Sequence, residues 1–318
     1  MRIPKCISLA MGLVFFLGSC SKEDTNLDNN EDGDDQITPV NLTARNAAQK
    51  LYEDYYIPSK TESGDIAWSG DEPSCDPGTV PQTTMDKMFM RIEYFRRAAG
   101  LTNTVSENDA NSEKAQHAAL MMKSNGTLSH SPPDSWKCYT EAGKEGAGNS
   151  LLTQSKNGEA IDSYMRDAGS ANGPVGHRRW LLWPKLREIG VGNTNTTNAV
   201  WVLGNAGSRP VDAPEFISWP PKGYTPKQFA YPRWSFSIAN ADFTGASVTV
   251  RDSNNKSIEL DIEELNNSYG DRTIVWVPAI NTNSLTKDTA FTVSLKNVGV
   301  GDELKDFEYE VIIFDASN

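Results

Sequence analysis

Histidine and cysteine are scarce in this chain, and basic residues are outnumbered by acidic ones. Its 318 residues include three histidines and four cysteines, and 42 acidic residues against 30 lysines and arginines give a net charge of −12. This balance argues against nucleic acid and against anionic membrane surfaces as partners. Catalytic signatures are also absent from the sequence, which has no Gly-x-Ser-x-Gly elbow, His-Glu-x-x-His zinc motif, phosphate loop or dinucleotide fingerprint.

Long apolar runs are lacking too, except at the N-terminus. Arg2 and Lys5 precede an apolar run over residues 7–17, which is too short for a transmembrane helix and predicts an export signal. The run ends in Leu-Gly-Ser-Cys20, which resembles the lipobox of bacterial lipoproteins. The resemblance implies that residues 1–19 are a signal peptide and that lipid on Cys20 anchors the protein in the outer membrane. An ordinary signal peptide with an incidental cysteine is the alternative.

An acidic segment follows the signal. Residues 21–35 contain seven acidic residues and one lysine, with almost nothing to bury, so we predict that residues 20–40 are a disordered tether. Serine and acidic residues directly after Cys20 resemble the surface-export signal of Bacteroidetes-type lipoproteins, which implies a location on the cell surface. The segment resembles half of a calcium loop, but Pro39 stands where the loop needs its final glutamate, so we expect no calcium site.

The remaining cysteines are few enough to be assigned individually. Cys6 leaves with the signal peptide and Cys20 takes the lipid, so Cys75 and Cys138 are left in the exported body. In an oxidising compartment such a pair predicts one disulfide, which would join the region before the first long helix to the loop after His130. Two free buried thiols are the alternative.

The sequence after the tether predicts an α+β fold, with helices before His177 and strands after it. Apolar residues at helical spacing predict helices over residues 42–56, 84–100, 108–124 and 159–167. Strands are predicted at residues 189–192 and 199–203. Residues 208–232 contain six prolines and are predicted to be an extended linker. Six short alternating strands over residues 233–318 predict an immunoglobulin-like β-sandwich without a disulfide.

Six short motifs follow one another in the first part of the body. In chain order they are Arg96-x-x-Ala-Gly-Leu101, Ala115-Gln116-x-Ala118, Leu128-Ser-His-Ser131, Gly148-Asn149-x-Leu151, Ala160-Ile-x-x-Tyr-Met165 and Gly176-His-Arg178. Together they resemble the CAP superfamily of cysteine-rich secretory, venom-allergen and plant pathogenesis-related proteins. The resemblance covers about residues 84–203. It implies an α-β-α sandwich, which with an N-terminal extension makes residues 41–207 a CAP-like domain. It also implies a cleft lined by two histidines and two acidic residues.

The resemblance assigns His130, Asn149, Asp167 and His177 to that cleft. Asp167 is shorter than the usual glutamate, and Gly148 stands where the other carboxylate is expected. Glu141 and Glu145, in the preceding loop, are candidates to reach in and replace it. In several members of the family the histidines bind a divalent metal, so zinc or another divalent cation is a candidate cofactor on His130 and His177.

The chemistry of these side chains leaves several roles open. Two histidines supply two of the ligands that zinc needs, and Asp167 would be a third ligand or would orient an imidazole. His130, Asp167 and His177 are also the candidates for general acid–base catalysis. Alternatively, each histidine only closes its own loop. For Arg178 and Arg179, we expect one to pair with acidic residues and the other to be solvated.

The leading hypothesis is a non-enzymatic, cell-surface or periplasmic lipoprotein. Its histidine cleft would bind a lipid or other small molecule, a glycan or a protein, because one carboxylate of the expected site is missing. One rival is a metal-dependent hydrolase or peptidase that uses His130, Asp167 and His177. The other is an adhesin in which the C-terminal β-sandwich binds the partner.

Overall fold

The computed structural model describes residues 43–62, 67–169, 172–204 and 206–317. The predicted signal peptide (residues 1–19), Cys20 and the predicted tether (residues 20–40) lie outside these ranges. Within the described ranges, no helix combines the length and apolar character needed to span a bilayer.

Four helices lie where the helical spacing predicts them, and two short ones are additional. The α-helices of the described residues are α1 (Arg45–Leu51, continued by a π-helical turn over Tyr52–Tyr56), α2 (Gln82–Ala98), α3 (Asp109–Asn125), α4 (Glu141–Asn149), α5 (Asn157–Arg166) and α6 (Gly176–Leu181). The sequence did not predict α4 or α6. In α4 three glycines weaken the helical signal. One of them, Gly146, is required by close packing on α3, because an added Cβ would lie 2.2 Å from the carbonyl oxygen of Lys114.

A four-stranded sheet lies between two layers of helices. Its strands are β1 (Ser106–Glu107), β2 (Ser150–Thr153), β3 (Glu188–Asn193) and β4 (Asn198–Trp201), in the order β1-β3-β4-β2. Leu152 and Ala199 face the alanine-rich side of α3, whereas Leu151 and Val200 face the core formed with α2 and α5. Gly192 lets α3 approach the sheet, since an added Cβ would lie 2.1 Å from the carbonyl oxygen of Ala115. The expected α-β-α layers are therefore present.

The C-terminal part is rich in β-structure, as expected. Its strands are β5 (Ile217–Trp219), β6 (Gly223–Pro226), β7 (Trp234–Ile238), β8 (Ala241–Asp242), β9 (Ser247–Asp252), β10 (Ser257–Ile258), β11 (Leu260–Ile262), β12 (Arg272–Pro278), β13 (Thr289–Val300) and β14 (Glu303–Phe314). One sheet has the order β10-β9-β13-β14-β6, with β8 also on β13, and the other has the order β11-β12-β7-β5. The two sheets enclose a core that includes Phe236, Trp276 and Val293. The immunoglobulin-like type stays a prediction.

Residues 208–232 differ from the predicted linker, because they contribute two strands. β5 pairs antiparallel with β7, and β6 pairs in parallel with β14. Trp219 is fully buried, with its ring centroid 5.5 Å from that of Phe95 on α2. Prolines suggested a linker, but β6 is the outer strand of its sheet, where Pro226 costs no hydrogen bond between strands. The core of the first part thus extends into the C-terminal part.

The predicted disulfide is confirmed. Cys75 and Cys138 are joined by an S–S bond of 2.09 Å across 63 residues of chain. It connects the loop before α2 to the segment between α3 and α4, on which His130 also lies.

Candidate functional site

A cavity of about 280 Å³ brings the four predicted cleft residues together. His130, Asn149, Asp167 and His177 all line it. Its apolar wall consists of Leu151, Trp180, Val202 and Leu203. The residues come from the loop after α3, the end of α4, the end of α5 and the start of α6, so the order of elements along the chain places them around one space.

His177 lies in the first turn of α6 and is fixed at two points by Asp167. Its Nδ1 lies 2.8 Å from Oδ1 of Asp167, and its backbone N–H donates to Oδ2 over 2.8 Å. Because an ionised carboxylate only accepts hydrogen bonds, Nδ1 carries the proton. In the neutral imidazole the lone pair is then on Nε2, the atom left for a ligand.

Asp167 acts on the cavity through His177. Its side chain is fully buried, and it adopts a left-handed conformation (φ 51°) where α5 ends. Aspartate tolerates this conformation better than most residues. Oδ2 also accepts from the backbone N–H of Arg178 at 3.3 Å, so both carboxylate oxygens are engaged. This geometry corresponds to a residue that orients the imidazole of His177.

His130 is held by one hydrogen bond and is exposed. Its Nδ1 lies 2.9 Å from the carbonyl oxygen of Ala147. A carbonyl only accepts, so Nδ1 is the protonated nitrogen here too, and Nε2 carries the lone pair. Next to Ala147 is Gly148, which also lines the cavity. A Cβ at Gly148 would make an ordinary contact of 3.5 Å with the His130 carbonyl oxygen, so neither space nor backbone conformation requires glycine.

A comparison of the sequence with models of known protein families agrees with this arrangement of cavity residues. Residues 89–204 match the model of the cysteine-rich secretory protein family, CAP. The match supports a CAP superfamily domain in this part of the chain. A search of curated proteins finds no match to the chain. Among solved structures, a DUF4426 family protein from Pseudomonas aeruginosa PAO1 is 15% identical, and the match covers 26% of this chain and 72% of that protein with a TM-score of 0.20.

Among the described residues, no glutamate takes the place of the second carboxylate that the family resemblance implies. Glu145 forms an ion pair with Lys114 over 2.7 Å, and Glu141 accepts a hydrogen bond from the Tyr139 hydroxyl at 2.8 Å. Neither lines the cavity. Among the described residues, Asp167 is therefore the one acidic side chain at this cavity.

The histidines of the CAP domain provide an incomplete metal site. Each has Nδ1 bonded to an oxygen and Nε2 available, which is the usual arrangement of metal-binding histidines. Zinc, however, takes three or four protein ligands. In the described parts of the chain no three side chains of His, Cys, Asp or Glu are grouped so as to hold a metal. The residues present thus supply two ligands, and we derive no chemical step through a metal.

The expectation that one of Arg178 and Arg179 is solvated was wrong, because both are buried. Arg178 is almost fully buried and donates to the carbonyls of Met165 (2.6 Å) and Arg233 (2.8 Å). Burial lowers the pKa of its guanidinium to about 10, so it remains charged at neutral pH. Arg179 donates to the carbonyls of Asn266 (2.8 Å) and Asp271 (2.9 Å). Both arginines therefore fasten α6 to the C-terminal β-region.

Tyr269 is a cavity residue that the sequence did not indicate. It lies on the loop between β11 and β12 and lines the cavity of the CAP domain. Its ring packs so close to Gly176 that an added Cβ there would lie 3.3 Å from it. No local pattern in residues 233–318 signals this contact, because it depends on how the β-region packs against α6.

Proposed function

We propose that the cavity of the CAP domain binds a ligand and does not catalyse a reaction. The proposal rests on the hydrogen bonds of Asp167, which is the one acidic side chain at the cavity among the described residues. Both of its oxygens are already bonded to His177 and its neighbour. A hydrolase of this kind needs a second acid or base, or an activated nucleophile, to exchange a proton with its substrate.

Among the described residues, the one serine at the cavity does not supply that nucleophile. Ser150 lines the cavity, yet its Oγ is buried and has no hydrogen-bond partner. An activated serine donates to a base within about 3 Å. His177 therefore has an orienting carboxylate behind it, and Ser150 is not bonded to it as an activated nucleophile would be. The Nε2 atoms of His130 and His177 are instead available to bond polar atoms of a bound molecule.

The lining indicates the size and character of the ligand. Small-molecule pockets commonly measure about 300–1,000 Å³, so a cavity of about 280 Å³ suits a small molecule or one unit of a larger one. Its apolar wall would contact the body of that unit, and the histidines would bond its polar edge. A lipid headgroup region, a sugar or an amino-acid side chain each have this mixture, so lipid, glycan and protein remain the candidate classes.

A fragment screen tests ligand binding directly. In the full chain, we expect small polar–apolar fragments to shift the NMR amide signals of His130 and His177. Gly148→Phe should abolish these shifts, since a Cβ fits there and the ring would fill the cavity that Gly148 lines. Gly245→Phe is the matched control, because Gly245 lies on an exposed turn with open space around it. Hydrolysis of ester or peptide substrates that disappears in His177→Ala would contradict the proposal.

A metal-dependent hydrolase is the second candidate, and the available Nε2 atoms favour it. It would use His130, His177 and Asp167, with a divalent cation bound by the two imidazoles. The small number of ligands among the described residues speaks against it. Zinc binding at neutral pH that is lost in His130→Ala, together with zinc-dependent hydrolysis, would favour it over simple ligand binding.

The cellular setting is proposed from the N-terminal sequence. We infer that Cys20 carries lipid and that the acidic tether holds the folded part outside the outer membrane, on the cell surface. Cys20→Ala should move the protein from the membrane fraction to the soluble fraction, as followed by immunoblotting of fractionated cells. Cys6→Ala is the control, because Cys6 lies within the predicted signal. If Cys20→Ala leaves the protein in the membrane fraction, the lipid anchor is ruled out.

A further inference from the structure

A second cavity adjoins the histidine cavity and is built jointly by the CAP domain and the β-region. It measures about 810 Å³, and Gly173 and Tyr269 line both cavities. Further walls come from Pro174 of the CAP domain and from Leu265 and Val277 of the β-region. The two cavities therefore meet at Gly173 and Tyr269, at the junction of the two parts.

The loop that carries Tyr269 is fixed at this junction. Arg179 of α6 donates to the carbonyls of Asn266 and Asp271, which flank Tyr269 on both sides. The Arg179 guanidinium also lies 5.6 Å from the centroid of the Tyr269 ring. Trp183 Nε1 donates to Oδ1 of Asp271 at 3.1 Å. An aromatic ring held this firmly loses little entropy when a ligand packs against it.

Among the described residues, the charged side chains that line the second cavity are Arg233, Glu263 and Glu264. Arg233 makes two hydrogen bonds to Glu263, at 2.6 Å and 2.5 Å, so these two charges neutralise each other. Glu264 also lines the cavity, is exposed, and forms no ion pair within the described ranges. Of the charged side chains that line this cavity, Glu264 is therefore the one without an ion pair. Basic groups of a ligand would be attracted to it.

The edge of a sheet lies beside the second cavity. β11 is the outer strand of its four-stranded sheet, and Glu263 and Glu264 follow it directly. An extended peptide adds to such an edge through backbone hydrogen bonds. Ile262 and Leu265, next to the edge, are 47% and 37% exposed, which suits aliphatic side chains. A sugar chain would leave these two residues without a complementary surface.

We propose that the two cavities are one composite site for a basic peptide in extended conformation, with Tyr269 as the aromatic contact at its centre. The proposal rests on the proposed function, because the histidine cavity would hold one residue of that peptide. It gives the C-terminal β-region a direct part in recognition, and it names the ligand class that the histidine cavity alone leaves open.

The test uses the full chain and defined probes. We expect acetyl-(Lys-Val)₄-amide to bind in calorimetry, and acetyl-(Glu-Val)₄-amide and chitotetraose not to bind. Tyr269→Ala should weaken Kd at least tenfold, as removal of a central aromatic contact does. Glu264→Lys, an exposed change that leaves the fold intact, should weaken it about tenfold. Glu310→Lys makes the same charge change at an exposed position of β14 and should leave Kd unchanged.

The outcomes separate this inference from the proposed function. Equal binding of the acidic peptide, binding of chitotetraose alone, or an unchanged Kd in both Tyr269→Ala and Glu264→Lys would overturn the composite peptide site. So would the absence of any binding by the basic peptide. In each of these cases the fragment shifts at His130 and His177 still decide whether the histidine cavity binds a ligand at all.

Discussion

The two histidines of the cavity are held in different ways. The half-buried His177 is bonded through both its ring and its backbone to Asp167, a carboxylate with no exposed surface. The exposed His130 has one hydrogen bond, to the carbonyl oxygen of Ala147. One side of the cavity therefore belongs to the packed interior, and the other belongs to a surface loop.

This difference is related to which of the two expected acidic positions carries an acid, since Asp167 is present and position 148 is glycine. Asp167 satisfies the backbone N–H groups of His177 and Arg178, and its own carbonyl accepts from Arg233 at 2.6 Å. It thus serves the packing of α5, α6 and β7 as well as the cavity. A carboxylate at position 148 would face the cavity and stabilise nothing behind it. The acid present at the site is thus one that the packing of the fold also uses.

The largest expected effect comes from removing Asp167. Asp167→Ala removes a buried carboxylate and leaves the backbone N–H groups of His177 and Arg178 and the ring N–H of His177 without their acceptor, so we expect a loss of about 3 kcal/mol in the free energy of unfolding. His130→Ala removes one hydrogen bond near the surface and should cost about 1 kcal/mol. Urea denaturation followed by tryptophan fluorescence measures both.

Asp167→Asn is the control that separates charge from backbone conformation. Asparagine tolerates the left-handed conformation at this position, whereas alanine adds about 1 kcal/mol of strain. We expect Asp167→Asn to lose less stability than Asp167→Ala. If His130→Ala proved as destabilising as Asp167→Ala, the contrast between the two sides of the cavity would be wrong.

Much of the histidine side of the site was predictable from sequence. His130, Asn149, Asp167 and His177 occupy motif positions whose order along the chain follows the order of local elements around the cavity. The disulfide followed from elimination, because Cys75 and Cys138 were the two cysteines left. Both predictions depend on local signals or on counting, and neither needs knowledge of packing between distant segments.

The rest of the site depends on long-range packing, which leaves no local pattern. Tyr269 reaches the cavity because Arg179 bonds carbonyls 87 and 92 residues further along the chain. The strands β5 and β6 were hidden in a proline-rich stretch, since β6 is formed by pairing with β14, almost at the end of the chain. Burial of Arg178 was equally unpredictable, because its partners are backbone carbonyls, which every residue has.

The smaller expected effect concerns the side that lacks a carboxylate. Gly148→Glu should add a third metal ligand beside His130 and His177 and tighten zinc binding at least tenfold in calorimetry at neutral pH. The substitution should be well tolerated, because a Cβ at position 148 meets no atom closer than 3.5 Å. Gly245→Glu, on an exposed turn, controls for the added negative charge. Unchanged zinc affinity in Gly148→Glu would mean that the two Nε2 atoms do not converge on one point, and the cavity would then bind its ligand through each histidine separately.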